Sequence, residues 1–147
     1  MTTDYARSFK DLRVHQKARE ISRAVFKLSK TFPKEEMYSL TDQIRRAARS
    51  VGAQIAEAWG KRRYERHFVS KLTDADAEQM ETQHWVSEAL DCGYISVADA
   101  VPLTSGLEEI GRMLNSMMEK SDQFCGSPDG ALREDALEYF AAAPTDD

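Results

Sequence analysis

The sequence predicts an all-α fold, an antiparallel up-down four-helix bundle with a flexible C-terminal tail. Three observations predict it. Apolar residues recur at spacings of three and four along four long stretches, the period of one helix face. Only 7 Gly and 4 Pro punctuate 147 residues, too few for a many-turned all-β chain. The breaks between the stretches are short, and short connections make consecutive helices antiparallel neighbours.

The first helix is expected from Asp11. Val14, Ala18, Ile21, Val25, Leu28 and Phe32 step along one face, and Pro33 stops them. Lys27 and Lys30 fall in the last turn, where cations suit the helix dipole. Residues 1–10 are polar and read as frayed. Ser39 opens the second helix, three residues before Asp42, a weak capping-box pattern. Its stripe is Leu40, Ile44, Ala47, Val51, Ile55 and Ala58. Gly52 inside a helix costs roughly 1 kcal/mol against Ala, so it is expected to mark a close helix approach. Gly60 is the expected stop.

The third helix is expected from about Glu65 to Cys92. Phe68, Leu72, Ala75, Val86 and Ala89 lie on one stripe, flanked by Met80 and Leu90. Its middle is polar where a core face should continue: Asp76, Gln79, Glu81, Thr82 and Gln83. Gly93 fits the C′ position. The fourth helix is expected from near Ala98, with a start between Val97 and Leu103, because Pro102 fits only a first turn. Leu103, Leu107, Ile110, Leu114 and Met117 form its stripe, and it ends near Phe124. Residues 10–124 are thus the bundle domain and 125–147 the tail. Within the tail, Gly126 to Gly130 is a linker, and residues 131–142 can form a short amphipathic helix through Leu132, Leu137 and Phe140.

Composition bounds the function. Apolar residues at 41% and charged residues at 31% suit a single globular domain and argue against disorder. No apolar run approaches the length of a membrane span, and the start MTTDYARSFKDLRV has no signal-peptide core. Cys92 and Cys125 are too few for a disulfide framework or a zinc site. A reduced, cytoplasmic protein without membrane contact or cofactor is expected.

The net charge of −5 hides a split. Residues 1–71 hold 17 Lys/Arg and 8 Asp/Glu; residues 72–147 hold 3 and 17. Such asymmetry arises from basic helices packed beside acidic ones, or from a basic face that meets a partner.

At the second helix and its exit the residues carry a resemblance. Leu40-Thr41-Asp42-Gln43-Ile44-Arg45-Arg46-Ala47, then Ile55-Ala56-Glu57-Ala58-Trp59-Gly60, resemble the signature of four-helix bundle proteins encoded in bacterial 23S rRNA intervening sequences. Ala58 stands where that signature usually has Gly. Gln79-Met80-Glu81-Thr82-Gln83 and Cys92-Gly93-Tyr94-Ile95 match the third helix and its exit. The resemblance covers about residues 10–122. It implies a bundle that assembles into a ring-like homopentamer. It also includes the accessory variability protein of diversity-generating retroelements, which binds nucleic acid and a reverse transcriptase. Members with that role are typically basic, whereas this chain has a pI near 5.3.

Three readings of the charged residues follow. In the first, Arg45, Arg46, Arg49, Lys61, Arg62, Arg63 and Arg66 form a basic face for RNA, DNA or a nucleic-acid-handling protein, with Trp59 and Tyr64 stacking on bases. In the second, the chain is a structural homo-oligomer in which arginines form ion pairs with Asp76, Glu81 and Glu57. Asp74 and Glu78 repel at i, i+4, and an Arg45 or Arg49 partner for Asp76 or Glu81 relieves the crowding. In the third, Arg62 and His67 form the Arg-x4-His of a HEPN-like ribonuclease. No catalytic residue is assigned, and a non-enzymatic module is expected. Glu81-Thr82-Gln83-His84 has the Glu-x-x-His spacing of di-iron bundles, but only one copy exists, so no metal is expected. Met113, Met117 and Met118, with Trp59 and Trp85, supply a bundle core or a subunit interface.

Overall fold

The computed structural model describes residues 6–125, so the predicted helix at 131–142 lies outside the described residues. Four long helices follow in order: α1 (Arg13–Ser29), α2 (Leu40–Gly60), α3 (Glu65–Asp91) and α4 (Val97–Glu119); a single turn, α5 (Ser121–Phe124), closes the described chain. No strand occurs among the described residues. Each long helix packs on its neighbours in a ring of α1, α2, α3, α4 and back to α1. The predicted stripes line the interior. Ile55, Ala58, Leu72, Ala75, Ala89, Leu107, Ile110, Leu114 and Met117 have no exposed surface. Each large apolar side chain so buried stabilises the fold by about 1.5–3 kcal/mol.

Local capping differs from the sequence reading at both ends of α1. Residues 8–11 are not frayed. Ser8 and Asp11 form a reciprocal capping box on a 3-10 turn, Phe9–Asp11, and Ala6 is buried. Helix α1 ends at Ser29, before Phe32, which buries its ring in the connection against Tyr94 at 5.7 Å. Ser39 occupies the N-cap position of α2 but makes no side-chain cap. The Glu36 carboxylate does this instead, accepting from Leu40 N at 3.2 Å and from Ser39 Oγ at 3.1 Å. Its other oxygen accepts from Tyr94 Oη at 3.3 Å, so one acid ties the start of α2 to the α3–α4 turn.

Gly93 has φ +75°. Its N–H reaches Leu90 O and the Tyr94 N–H reaches Ala89 O, both at 3.0 Å, which completes a Schellman motif. Helix α4 starts at Val97 because Ser96 and Asp99 form a second capping box. Pro102 therefore falls in the second turn rather than the first. Its missing N–H leaves only the Ala98 carbonyl unserved, and Ala98 is exposed to water.

The close approaches are not where Gly52 suggested. A Cβ at Gly52 would meet His15 at 3.8 Å and Ala18 at 3.9 Å, ordinary contacts. On α4, a Cβ at Gly106 would sit 2.5 Å from Ile21 Cδ1, and one at Gly111 would sit 2.8 Å from Gln79 Nε2. Gly111 makes room for the polar middle of α3. Gln79 is buried there, donating to Asp76 Oδ1 at 2.9 Å and accepting from Gln83 Nε2 at 2.7 Å. Thr82 is fully buried and donates to Glu78 O. Opposite outcomes are expected in thermal melts. Gly52→Ala should stabilise by up to about 1 kcal/mol through helix propensity. Gly111→Ala should destabilise by about 1–2 kcal/mol, since overpacking the Gln79 chain outweighs that gain.

Candidate nucleic-acid interface

The seven predicted basic residues form two groups at opposite ends of α2. Arg45, Arg46 and Arg49 lie on its second and third turns. Lys61, Arg62, Arg63 and Arg66 lie at the α2–α3 turn, and Lys61 is about 24 Å from Arg45 along a helix rising ~1.5 Å per residue. Arg46, Arg49, Lys61, Arg63 and Arg66 are exposed, and Arg45 and Arg62 are half-buried.

The first group is organised by a residue the sequence reading did not single out. Phe26, on the outer side of α1, is 36% exposed. Three cations gather on its ring: Arg45 at 4.7 Å, Lys30 at 4.8 Å and Arg49 at 5.4 Å from the centroid. Arg45 Nε also donates to Ser29 Oγ at 2.7 Å, which fixes the guanidinium on the α1 side. Each ring contact stabilises a cation by about 0.5–1 kcal/mol, so the aromatic face offsets part of the mutual repulsion. The signal for Phe26 in the sequence is an aromatic off the buried stripe, between Arg23 and Lys30; the phase of the helix puts it outside the core.

The predicted pairing of Arg45 or Arg49 with Asp76 or Glu81 is not formed. Among the described residues no ion pair joins any of the seven to a carboxylate; the pairs are Lys17–Glu109, Lys71–Glu57 and Lys71–Asp74. The reason is helix phase. Gln54, which meets Lys71 of α3, lies nine residues from Arg45, about 180° round a helix of ~3.6 residues per turn. Arg45 therefore faces α1. Asp76 is held by Gln79 instead, and Glu81 is exposed. Burial, with Glu81 and Asp74 adding to it, pushes the Glu78 carboxyl up, and Arg46 opposes this. Glu57 does form an ion pair, with Lys71 at 3.1 Å. The Glu57 side chain is about half exposed, so the pair stabilises by less than about 1 kcal/mol.

The second group is partly occupied by the fold. Arg62 turns back on α2: its Nε donates to Trp59 O at 2.7 Å and its guanidinium stacks 3.4 Å from the Trp59 ring centroid. Trp59 is buried under it, so it does not offer a stacking face for bases. Tyr64 is 57% exposed and packs on His67 and Arg63. Arg62 and His67 thus have separate partners. Cys125 lies close to Arg62 and Glu65, and burial pushes its thiol up to about 11, so it is protonated near neutral pH. Cys92 is exposed. His84 packs edge-on against Trp85 at 4.8 Å. Among the described residues no three His, Cys, Asp or Glu side chains are grouped to hold a metal. Met117 is core, and Met113 and Met118 pack against it.

A shallow hollow between α1 and α2 is lined by Lys10, Arg19, Arg49 and His15. His15 is buried with Nδ1 unpartnered and its ring edge-on to Phe9 at 4.9 Å. Burial first, then Arg19 and Lys10, lowers its pKa. The unfolded chain therefore binds a proton that the native state refuses. Stability is complete above the ordinary His value of about 6.5 and falls as pH drops through it towards the lowered native value. Thermal midpoints measured from about pH 7.5 to about pH 5 should fall less steeply for His15→Phe than for the parent chain.

Both basic groups fall within a segment shared with other proteins. The family model for 23S rRNA-intervening sequence protein matches residues 10–116. The chain belongs to that family. A crystal structure from Bacteroides thetaiotaomicron, described as a protein with unknown function from the S23 ribosomal protein family, superposes with a TM-score of 0.66. It is 26% identical, and the match covers 72% of this chain and 98% of that one. No curated protein matches. The family match spans α1, α2, α3 and most of α4. No described helix is long and apolar enough to cross a membrane.

Proposed function

We propose that this 23S rRNA-intervening sequence family member is a non-enzymatic binding module that takes nucleic-acid phosphates on the α1–α2 face. One observation carries the reading. Lys30, Arg45 and Arg49 converge on Phe26, Arg46 adjoins them, and none has a carboxylate within ion-pair distance among the described residues. A cluster of cations gathered on an aromatic ring, none of them in an ion pair among the described residues, suits a polyanion. The overall negative charge does not oppose this, because the acidic excess lies in the second half of the chain.

The test is binding of single-stranded RNA and DNA across salt. Affinity should fall linearly in log–log form, with a slope of about −0.7 for each phosphate neutralised on a single strand. Replacing Lys61 and Arg63 by Gln should change that slope less than replacing Arg45 and Arg49. Absence of binding at about 50 mM salt would overturn the reading.

Self-assembly is the second part of the proposal. Val97 and Val101, one turn apart on α4, are 63% and 55% exposed, and Met80 on α3 is 57% exposed. These apolar side chains lie on the helices that do not carry the basic face, and they suit contact with a second copy. Light scattering is expected to give a multiple of the 16.6 kDa chain mass, a pentamer if the ring implied by the family resemblance applies.

A further inference from the structure

Beside the basic cluster, α2 and the turn before it form an open hollow of about 470 Å³. Met37, Tyr38, Thr41 and Asp42 line one end, and Arg46 and Arg49 line the other. Tyr38 is 94% exposed and Met37 47%. Among the described residues no ring or cation packs on Tyr38. Thr41 is only 2% exposed, and its Oγ1 is buried without a hydrogen-bond partner.

We propose that this hollow takes one unpaired nucleotide, its base stacked on Tyr38 and its phosphate on Arg46 and Arg49, so that the protein prefers single strands to duplex. The inference rests on the phosphate-binding reading above and adds the strandedness of the ligand. Base pairs inside a duplex are stacked on both faces, so away from its two ends a duplex offers the tyrosine ring no partner, whereas every unpaired base offers one. Charge sets the direction. The Asp42 carboxylate repels phosphate from the Tyr38 end. Arg49, about 10 Å further along α2 at ~1.5 Å per residue, attracts it to the other.

The experiment uses the full chain, a short single-stranded RNA and a blunt RNA duplex of equal length, followed by fluorescence anisotropy at about 50 mM salt. Tyr38→Ala should weaken single-strand binding about tenfold, leave duplex binding unchanged and leave the salt slope unchanged. Tyr38→Phe should bind as the parent does, because it keeps the ring. Tyr38 is almost wholly exposed, so the fold has no stake in it. Equal loss on both probes, or no loss on the single strand, overturns the stacking inference while phosphate binding stands. Failure of the parent chain to bind either probe overturns both.

Discussion

Phe68→Ala is expected to destabilise the bundle by about 3–5 kcal/mol, the range for emptying a buried phenylalanine site. Phe68 is 1% exposed and sits in the first turn of α3, at the end of the bundle. Its ring stacks on Phe124 at 5.7 Å with 20° between planes. Phe124 belongs to the single turn α5, where Ser121 Oγ also donates to Glu65 at 2.6 Å. The substitution therefore opens a cavity and loosens the turn that covers it. Urea denaturation reads the effect. With a slope of about 1–3 kcal/mol per molar, the midpoint should move by at least roughly 1 M. Phe124→Ala should cost less, because a one-turn element can shift to fill the space. The double variant should cost less than the two singles together, since contacting residues share one interaction. Full additivity would mean that the two rings act separately.

Replacing Arg45, Arg46 and Arg49 together by Gln is expected to lower single-strand affinity by roughly a hundredfold or more at about 50 mM salt. Each phosphate contact contributes about −0.7 to the salt slope, which amounts to several-fold per contact at that concentration. The slope itself should become shallower by about 2 for three lost contacts. The fold should survive, because Arg46 and Arg49 are exposed and Arg45 contributes one hydrogen bond and one ring contact. Circular dichroism and the urea midpoint check this. A slope unchanged in the triple variant would move the phosphate contacts to the Lys61–Arg66 end of α2.

The helices are legible because each encodes its own period and punctuation. Val14, Ala18, Ile21 and Val25 give the buried face of α1, and the third helix, expected from about Glu65 to Cys92 with Gly93 as its stop, spans Glu65–Asp91. Caps are less legible. Ser39 has the residue type of a cap, but Glu36 reaches the α2 N-terminus first, through a 3-10 turn that brings it close. The crowded acids of α3 suggest arginine partners. The buried answer is an amide, Gln79, whose space comes from Gly111 on another helix.

The same division holds for the candidate site. Residue types and charge along the chain determine that a bundle forms, that its first half is basic, and which arginines are available. Adjacency in sequence suggests one patch of seven, but a helix converts about sixteen residues into roughly 24 Å, so there are two. Only the packing of α1 against α2 decides that Arg45 and Arg49 face Phe26 and not Asp76. Helix phase is set by the whole buried stripe, which satisfies the core first and leaves the charged side chains to find partners on whichever neighbour remains.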